Sequence, residues 1–273
     1  MKKDNILSVK DKVILIFGGC GLIGSEFSKH LVNQKAKICV ADLNKENYFI
    51  NFKDYIKKNK KDIFFCKVNV TDRKSIENCL GKVLKKFGKL DAVINASAMN
   101  APFDKKFNKK QFSSFEKYPL DMWKKSLEIN LTGALLIAQV IVRYFSKIKK
   151  GHLINIGSNY GLVAPDQAIY EEKGKQKLFK PADYIVSKFG IIGLNKYLAA
   201  YFKKTKIRFN LLTPSGVEHK QTQTFKKKYA SKTLLNRMSF KHEYNGAIQF
   251  LCSDASSYMT GSNLIIDGGW TVT

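Results

Sequence analysis

Short apolar bursts alternate along this chain with longer amphipathic stretches, and that alternation restricts the fold more than any other feature. The bursts fall at 12–17 (KVILIF), 37–41 (KICVA), 63–70, 90–95 (LDAVIN), 152–156 (HLINI), 207–212 (IRFNLL) and 263–267 (NLIID). Between them, apolar residues recur at helical spacing: Leu22, Ile23, Phe27 and Leu31 in 21–35, then Tyr48, Phe52, Tyr55 and Ile56 in 47–58. Further helical patterns cover 75–87, 120–148, 182–202 and 243–252. A continuous apolar run reads as a strand covered on both faces, and strand–helix alternation reads as a parallel sheet with helices on both sides. The expected fold is therefore α/β: one doubly wound domain spanning 1–273, with about seven parallel strands. Two connections, 101–118 and 159–181, follow neither pattern, and loops of that length in a compact domain are often functional.

Composition narrows the function classes. The 48 basic and 22 acidic residues leave a formal charge of +26, which raises nucleic-acid or anionic-membrane binding as a reading. Against it, Arg73, Arg143, Arg208 and Arg237 are the only arginines, and the lysines are dispersed rather than clustered. Nucleic-acid readers lean on arginine for bidentate contacts, so dispersed, solvated lysine is the expectation. Five cysteines without a CxxC suit reduced thiols in the cytoplasm, and no export signal is read in MKKDNILSVKDKV. The apolar runs are too short to span a bilayer. The four histidines show no metal-ligand spacing, so no metal is expected.

The first strand runs into Phe17-Gly18-Gly19-Cys20-Gly21-Leu22-Ile23-Gly24, and the first helix follows. Glycines at 18, 21 and 24 let backbone approach a pyrophosphate, and a helix N-terminus offers unpaired N–H groups and a positive dipole end. Such a triad is weak evidence alone and strong at the first strand–helix turn. Asp42 ends the second strand 18 residues past Gly24. A carboxylate there can accept from a ribose diol and repels a 2′-phosphate. Its other reading is an N-cap for the next helix.

Tyr184 and Lys188 stand at i and i+4, on one helix face. Twelve tyrosines and 44 lysines in 273 residues make roughly two such spacings expected by chance; this one is singled out by opening the helix between the fifth and sixth strands. In that context the chain resembles the short-chain dehydrogenase/reductase family over nearly its whole length. The resemblance rests on the glycine loop, NASA at 95–98, Asn130 in INLTGA, Ser158 in LINIGS, Tyr184 with Lys188, LLTPSGV at 211–217 and LCSDASSYMTGSNLIIDGGW at 251–270.

The resemblance implies a Rossmann-type domain, assembled as a homodimer or homotetramer. It implies that Tyr184 is the general acid/base, that Lys188 holds the nicotinamide ribose and lowers the Tyr184 pKa, that Ser158 orients the substrate oxygen, and that Asn130 holds a relay water. A charge about 5 Å away at an effective dielectric of ~20 is worth about 3 kcal/mol, or roughly two pKa units. Cofactor contacts are implied for Gly18, Cys20, Gly21, Leu22, Ile23, Gly24, Asp42, Leu43, Asn69, Val70, Asn95, Ala96, Ser97, Tyr184, Lys188, Pro214, Gly216 and Val217. NAD is expected over NADP because of Asp42, with Lys45 the one nearby cation that opposes it.

Three departures stand out. Phe17 and Leu22 replace the Thr and middle Gly usual in the single-domain branch, so the loop resembles the extended branch; length and C-terminal motifs favour the single-domain one. Asn69 stands where Asp commonly meets adenine. Ser158 and Tyr184 lie 26 apart, about twice the usual spacing, and the intervening APDQAIYEEKGKQKLFKPADY resembles a subgroup from bacterial surface-carbohydrate and flagellin-modification pathways. The expected function is hydride transfer between NAD(H) and a sugar or activated sugar. Segment 159–181, with Tyr170, Glu171, Glu172, Lys173, Lys175, Lys177 and Lys180, is expected to be its substrate loop. The alternatives are a 3-oxoacyl-carrier-protein or small-ketone reductase, and a non-catalytic dinucleotide-sensing or nucleic-acid-binding protein.

Overall fold

Alternate residues of the first strand enter two different cores, which is why its sequence is apolar throughout. In β1 (Val13–Phe17), Ile14 and Ile16 join Phe27, Leu31, Ile248 and Leu251, while Val13, Leu15 and Phe17 join Ile76, Val83, Ile137 and Phe145. The structure is a computed structural model that describes residues 5–100, 114–172, 174–176 and 178–272. The N-terminal MKKD, most of the 101–118 connection, Lys173 and Lys177 lie outside the described residues.

Six more strands complete a parallel sheet: β2 (Lys37–Asp42), β3 (Ile63–Lys67), β4 (Ala92–Asn95), β5 (Lys150–Ile156), β8 (Lys206–Pro214) and β9 (Asn263–Ile266). Their order is β3-β2-β1-β4-β5-β8-β9, every pairing parallel. In register, Leu15 lies between Cys39 and Val93. The chain reverses its winding between β1 and β4, and such switch points leave a crevice at the carboxyl ends of the strands. The helices are α1 (Leu22–Asn33), α2 (Lys45–Lys58), α3 (Arg73–Phe87), α4 (Leu120–Leu127), α5 (Gly133–Ile148), α6 (Ala182–Tyr201), α7 (Gln223–Ala230) and α8 (Asn245–Cys252).

Several local outcomes differ from the expected pattern. The third strand ends at Lys67 instead of running to 70, because Asn69 closes a turn by accepting the Thr71 N–H. Helix α2 is capped by Asn44, whose side chain accepts from Glu46 and Asn47; Asp42 is not the cap. The 120–148 helix contains a π-helical turn at Glu128–Thr132. By length and composition this 29-residue stretch is apolar enough to cross a bilayer, but Ile137, Ala138, Ile141 and Phe145 are buried against the sheet, as in a core helix. Segment 159–181 is not wholly irregular: it holds a 3₁₀ turn at Asn159–Gly161, another at Gln167–Tyr170, and a hairpin of β6 (Glu171–Glu172) with β7 (Lys175–Gln176). Helix α7 has no counterpart in the hydrophobic pattern, since it buries Tyr229 alone. All five cysteines are buried free thiols.

Candidate active site and nucleotide crevice

Two close approaches require the glycines at the crevice floor. Gly18 has φ +68°, and a Cβ on it would lie 2.6 Å from the Ala96 carbonyl; one on Gly24 would lie 2.2 Å from the Gly18 oxygen. Loop, α1 and the end of β4 are thereby packed backbone to backbone. Gly21 caps α1 with no side-chain hydrogen bond, so the first-turn N–H groups face the crevice without a capping oxygen. The Asp42 carboxylate accepts the Cys20 N–H at 2.9 Å and the Asn44 N–H at 3.1 Å. Burial, reinforced by Asp42, pushes the Cys20 thiol up to about 12. Leu22, beside this loop, and Leu43, just past Asp42, are exposed apolar side chains. This arrangement fits a dinucleotide: glycine cradle, unpaired helix amides and a carboxylate one strand away.

The remaining expected contacts lie at the same end of the sheet. Asn95, the last residue of β4, donates to Asn155 at 3.0 Å and accepts from the Ser97 N–H at 3.2 Å. Ala96 packs on Gly18. Val70 lies beneath Gly133 of α5, and the Asn69 oxygen is engaged by the N–H and hydroxyl of Thr71. Pro214 ends β8; the Gly216 N–H donates to the Tyr229 hydroxyl at 2.5 Å, and Val217 bridges to Ser239.

Ser158, Tyr184 and Lys188 converge despite the 26-residue separation. Ser158 follows β5 and caps the 3₁₀ turn at Asn159–Gly161, so its hydroxyl is both a turn cap and a group at the sheet's edge. Pro181 starts α6 at a fixed φ of −67°, which places Tyr184 and Lys188 one turn apart. The Lys188 ammonium donates to the Ile156 carbonyl at 2.8 Å and lies 5.7 Å from the Tyr184 ring centroid. Burial lowers Lys188 to about 8. Burial also raises the Tyr184 pKa, and a hydrogen bond with Ser158 opposes it. The expected lowering by Lys188 is therefore outweighed here by desolvation.

Asn130 lies in the π-helical turn, a distortion frequent at functional sites. Its side chain accepts the Met99 N–H at 2.6 Å and donates to the Met99 carbonyl, Ser126 and Ser187 at 3.1 to 3.4 Å. The amide protons are thus engaged in joining three segments. Ser187 in turn donates to the Tyr184 carbonyl at 2.8 Å.

Sequence reasoning missed the individual importance of Lys180. It is 5% exposed, and its Nζ lies 3.6 Å from the Tyr184 ring centroid. The available signal was its place one residue before a Pro that starts the Tyr184 helix. Lys175, by contrast, is exposed on the hairpin. The 159–181 segment is tied to α7: Lys228 donates to the carbonyls of Ala168 and Glu171, and Lys232 pairs with Asp166 at 2.7 Å. A cavity of about 310 Å³ lies beside Lys180, walled by Phe115, Trp123, Phe179 and Ile185; it does not reach Tyr184 or Ser158.

Comparison with known proteins matches residues 22–271 to the family described as Enoyl-(Acyl carrier protein) reductase. The chain is 29% identical over 264 residues to post-translational flagellin modification protein A of Campylobacter coli, covering 96% of this chain and 99% of that one. It is 28% identical over 271 residues to the 3-oxoacyl-[acyl-carrier-protein] reductase FabG of Thermotoga maritima, covering 97% and 100%. Among solved structures, a short chain dehydrogenase of Leptospira borgpetersenii with bound NAD+ matches with a TM-score of 0.84 and 31% identity, covering 99% of this chain and 97% of that one.

Proposed function

Because the chain belongs to the short-chain dehydrogenase/reductase family, we propose that it exchanges hydride between NAD(H) and the carbonyl or hydroxyl carbon of a sugar or activated sugar, in surface-carbohydrate synthesis. Members are NAD(P)-dependent oxidoreductases acting on CH–OH groups, and this chain is one of them. The observation that carries the proposal is the convergence of Ser158, Tyr184 and Lys188 at the carboxyl end of the sheet, beside the glycine crevice.

The dinucleotide would lie on Gly18, Cys20, Gly21, Leu22, Ile23 and Gly24, with Asp42 and Leu43 at its ribose end. Asn69, Val70, Asn95, Ala96 and Ser97 would flank it, and Pro214, Gly216 and Val217 would close the far side. When bound, its nicotinamide supplies or takes the hydride. Tyr184 gives its phenolic proton to the substrate oxygen in reduction and recovers one in oxidation. Ser158 holds that oxygen beside Tyr184. Lys188, anchored on Ile156, holds an ammonium near the phenol and stabilises the phenolate as the proton leaves. Asn130 fixes the 99 segment across from Tyr184, so a relay water would be held at the π-helical backbone. Asp42 supports NAD over NADP, since its carboxylate would face a 2′-phosphate.

The sugar reading is supported by the full-length match to the flagellin modification protein and by the 159–181 segment, which leaves the strand of Ser158 and returns at the helix of Tyr184. We read that segment, tied to α7, as a substrate loop of a single 1–273 domain. Five unpaired buried thiols support a cytoplasmic setting. Val186, Phe189, Tyr197 and Tyr201 leave apolar surface exposed along α6, which supports a homodimer or homotetramer. The apolar cavity beside Lys180 favours a second reading, reduction of a 3-oxoacyl thioester. Initial rates with NADH on keto-sugar nucleotides and on acetoacetyl thioesters separate the two. A kcat/KM higher on the thioester overturns the sugar reading.

A further inference from the structure

Lys180 is mounted stiffly for a lysine. Its backbone N–H donates to the Gln167 side-chain oxygen at 2.8 Å, and its carbonyl accepts from the Gln167 Nε2 at 3.1 Å. The ammonium donates to the Asn100 oxygen at 2.5 Å, lies over the face of Tyr184, and is 5.9 Å from the Tyr160 ring centroid. It is the charged residue lining the neighbouring cavity among the described residues. Two ammonium groups, Lys180 and Lys188, therefore border one phenol from different elements, and they differ in commitment. Lys188 is anchored on a strand carbonyl, whereas Lys180 projects from the 159–181 segment over the ring, lateral to the hydroxyl. A substrate whose oxygen reaches Tyr184 brings its adjoining substituent toward that ammonium. Burying a cation is costly unless an anion compensates it, and burial holds Lys180 down to about 7 against the upward pull of Asp183, with Lys188 lowering it further.

We propose that Lys180 is a specificity-determining residue that pairs with an anionic oxygen group, carboxylate or phosphate, borne by the substrate beside the carbon that exchanges hydride. The proposal rests on the assignment of Tyr184 to the reacting centre. It narrows the substrate class from sugars in general to acidic or phosphorylated ones. A charge-assisted hydrogen bond of this kind strengthens binding by roughly tenfold to a hundredfold.

The test is calorimetric titration of the NADH-saturated Tyr184→Phe protein, in which turnover does not interfere. The probes are hydroxyacetone (neutral), 2-oxobutanoate (carboxylate beside the carbonyl) and dihydroxyacetone phosphate. At least one anion is expected to bind tenfold or more tightly than hydroxyacetone, and which one identifies the source of the charge. Adding Lys180→Met should erase the preference and Lys180→Arg should keep it, with NADH affinity unchanged in both. No preference in the Tyr184→Phe protein, including no measurable binding of either anion, overturns the proposal. So does a preference that survives Lys180→Met. NADH oxidation by the wild-type protein with hydroxyacetone tests the oxidoreductase reading separately, since that substrate has no anion for Lys180 to hold.

Discussion

The Asp42 carboxylate accepts the Cys20 N–H at 2.9 Å, so the glycine loop and the end of the second strand form one hydrogen-bonded unit. Asp42→Ala removes both this acceptor and the group proposed to face the ribose diol. NADH affinity should fall roughly tenfold to a hundredfold, and the gap between NADH and NADPH should shrink. Fluorescence titration with both reduced cofactors measures this. Tighter binding of NADPH than NADH by the wild-type protein contradicts the proposed role.

Tyr184→Phe deletes a proton donor and leaves the ring under Lys180. Turnover should fall by about 10²- to 10⁴-fold while the NADH dissociation constant stays within about twofold. Lys188→Met should damage both, because the ammonium on Ile156 borders the crevice and the phenol alike. Steady-state rates paired with fluorescence titration decide it; a Tyr184→Phe rate above about a tenth of wild type would mean another group moves the proton.

Lys180 and Lys188 titrate at about 7 and about 8 in the folded chain, against about 10.4 when unfolded. Above pH 7 the unfolded chain therefore binds more protons at these sites, and stability rises with pH by up to about 1.4 kcal/mol per unit for each group. Buried thiols such as Cys20 and Cys252, both pushed up to about 12, act in the opposite direction above pH ~8.5. In thermal melts between pH 6.5 and 8.5, the Lys180→Met/Lys188→Met variant should exceed wild type most at the acid end, and the difference should narrow as pH rises. A constant difference would show that neither lysine loses its proton in that window.

Gly24 and Gly81 make a matched pair. An alanine at 24 would collide with the Gly18 oxygen, whereas at 81, inside α3, its Cβ meets nothing within 4 Å. Gly81→Ala should stabilise by about 0.8–1 kcal/mol. Gly24→Ala should destabilise by about 1–3 kcal/mol and weaken NADH binding. Chemical denaturation of both variants tests the pair, and equal effects would contradict the close approach.

Much of this site was legible because its signals are local. The faces of β1 are decided by alternation within KVILIF, and the Tyr184–Lys188 pairing by one turn of helix. The glycine loop announces itself by position, between the first strand and the first helix. What was not legible depends on distant atoms. Asn44 and Asp42 are both plausible caps from sequence; the carboxylate is drawn away because Cys20 of another element offers its N–H. The turn around Asn130 is π-helical in a segment that reads as plain helix, and its amide is bonded to Met99, Ser126 and Ser187.

Lys180 is the sharpest case. In a chain with 44 lysines its identity said little, and dispersed solvated lysine was the expectation for all of them. By itself the sequence determined the strand order's raw material, the crevice glycines and the residue types able to move a proton. The tertiary structure decided which lysine would be buried over Tyr184, because that depends on where the 159–181 segment closes on α6 and on how Gln167 clamps residue 180. Burial and the dielectric around a charge are properties of packed neighbours, and no local pattern encodes them.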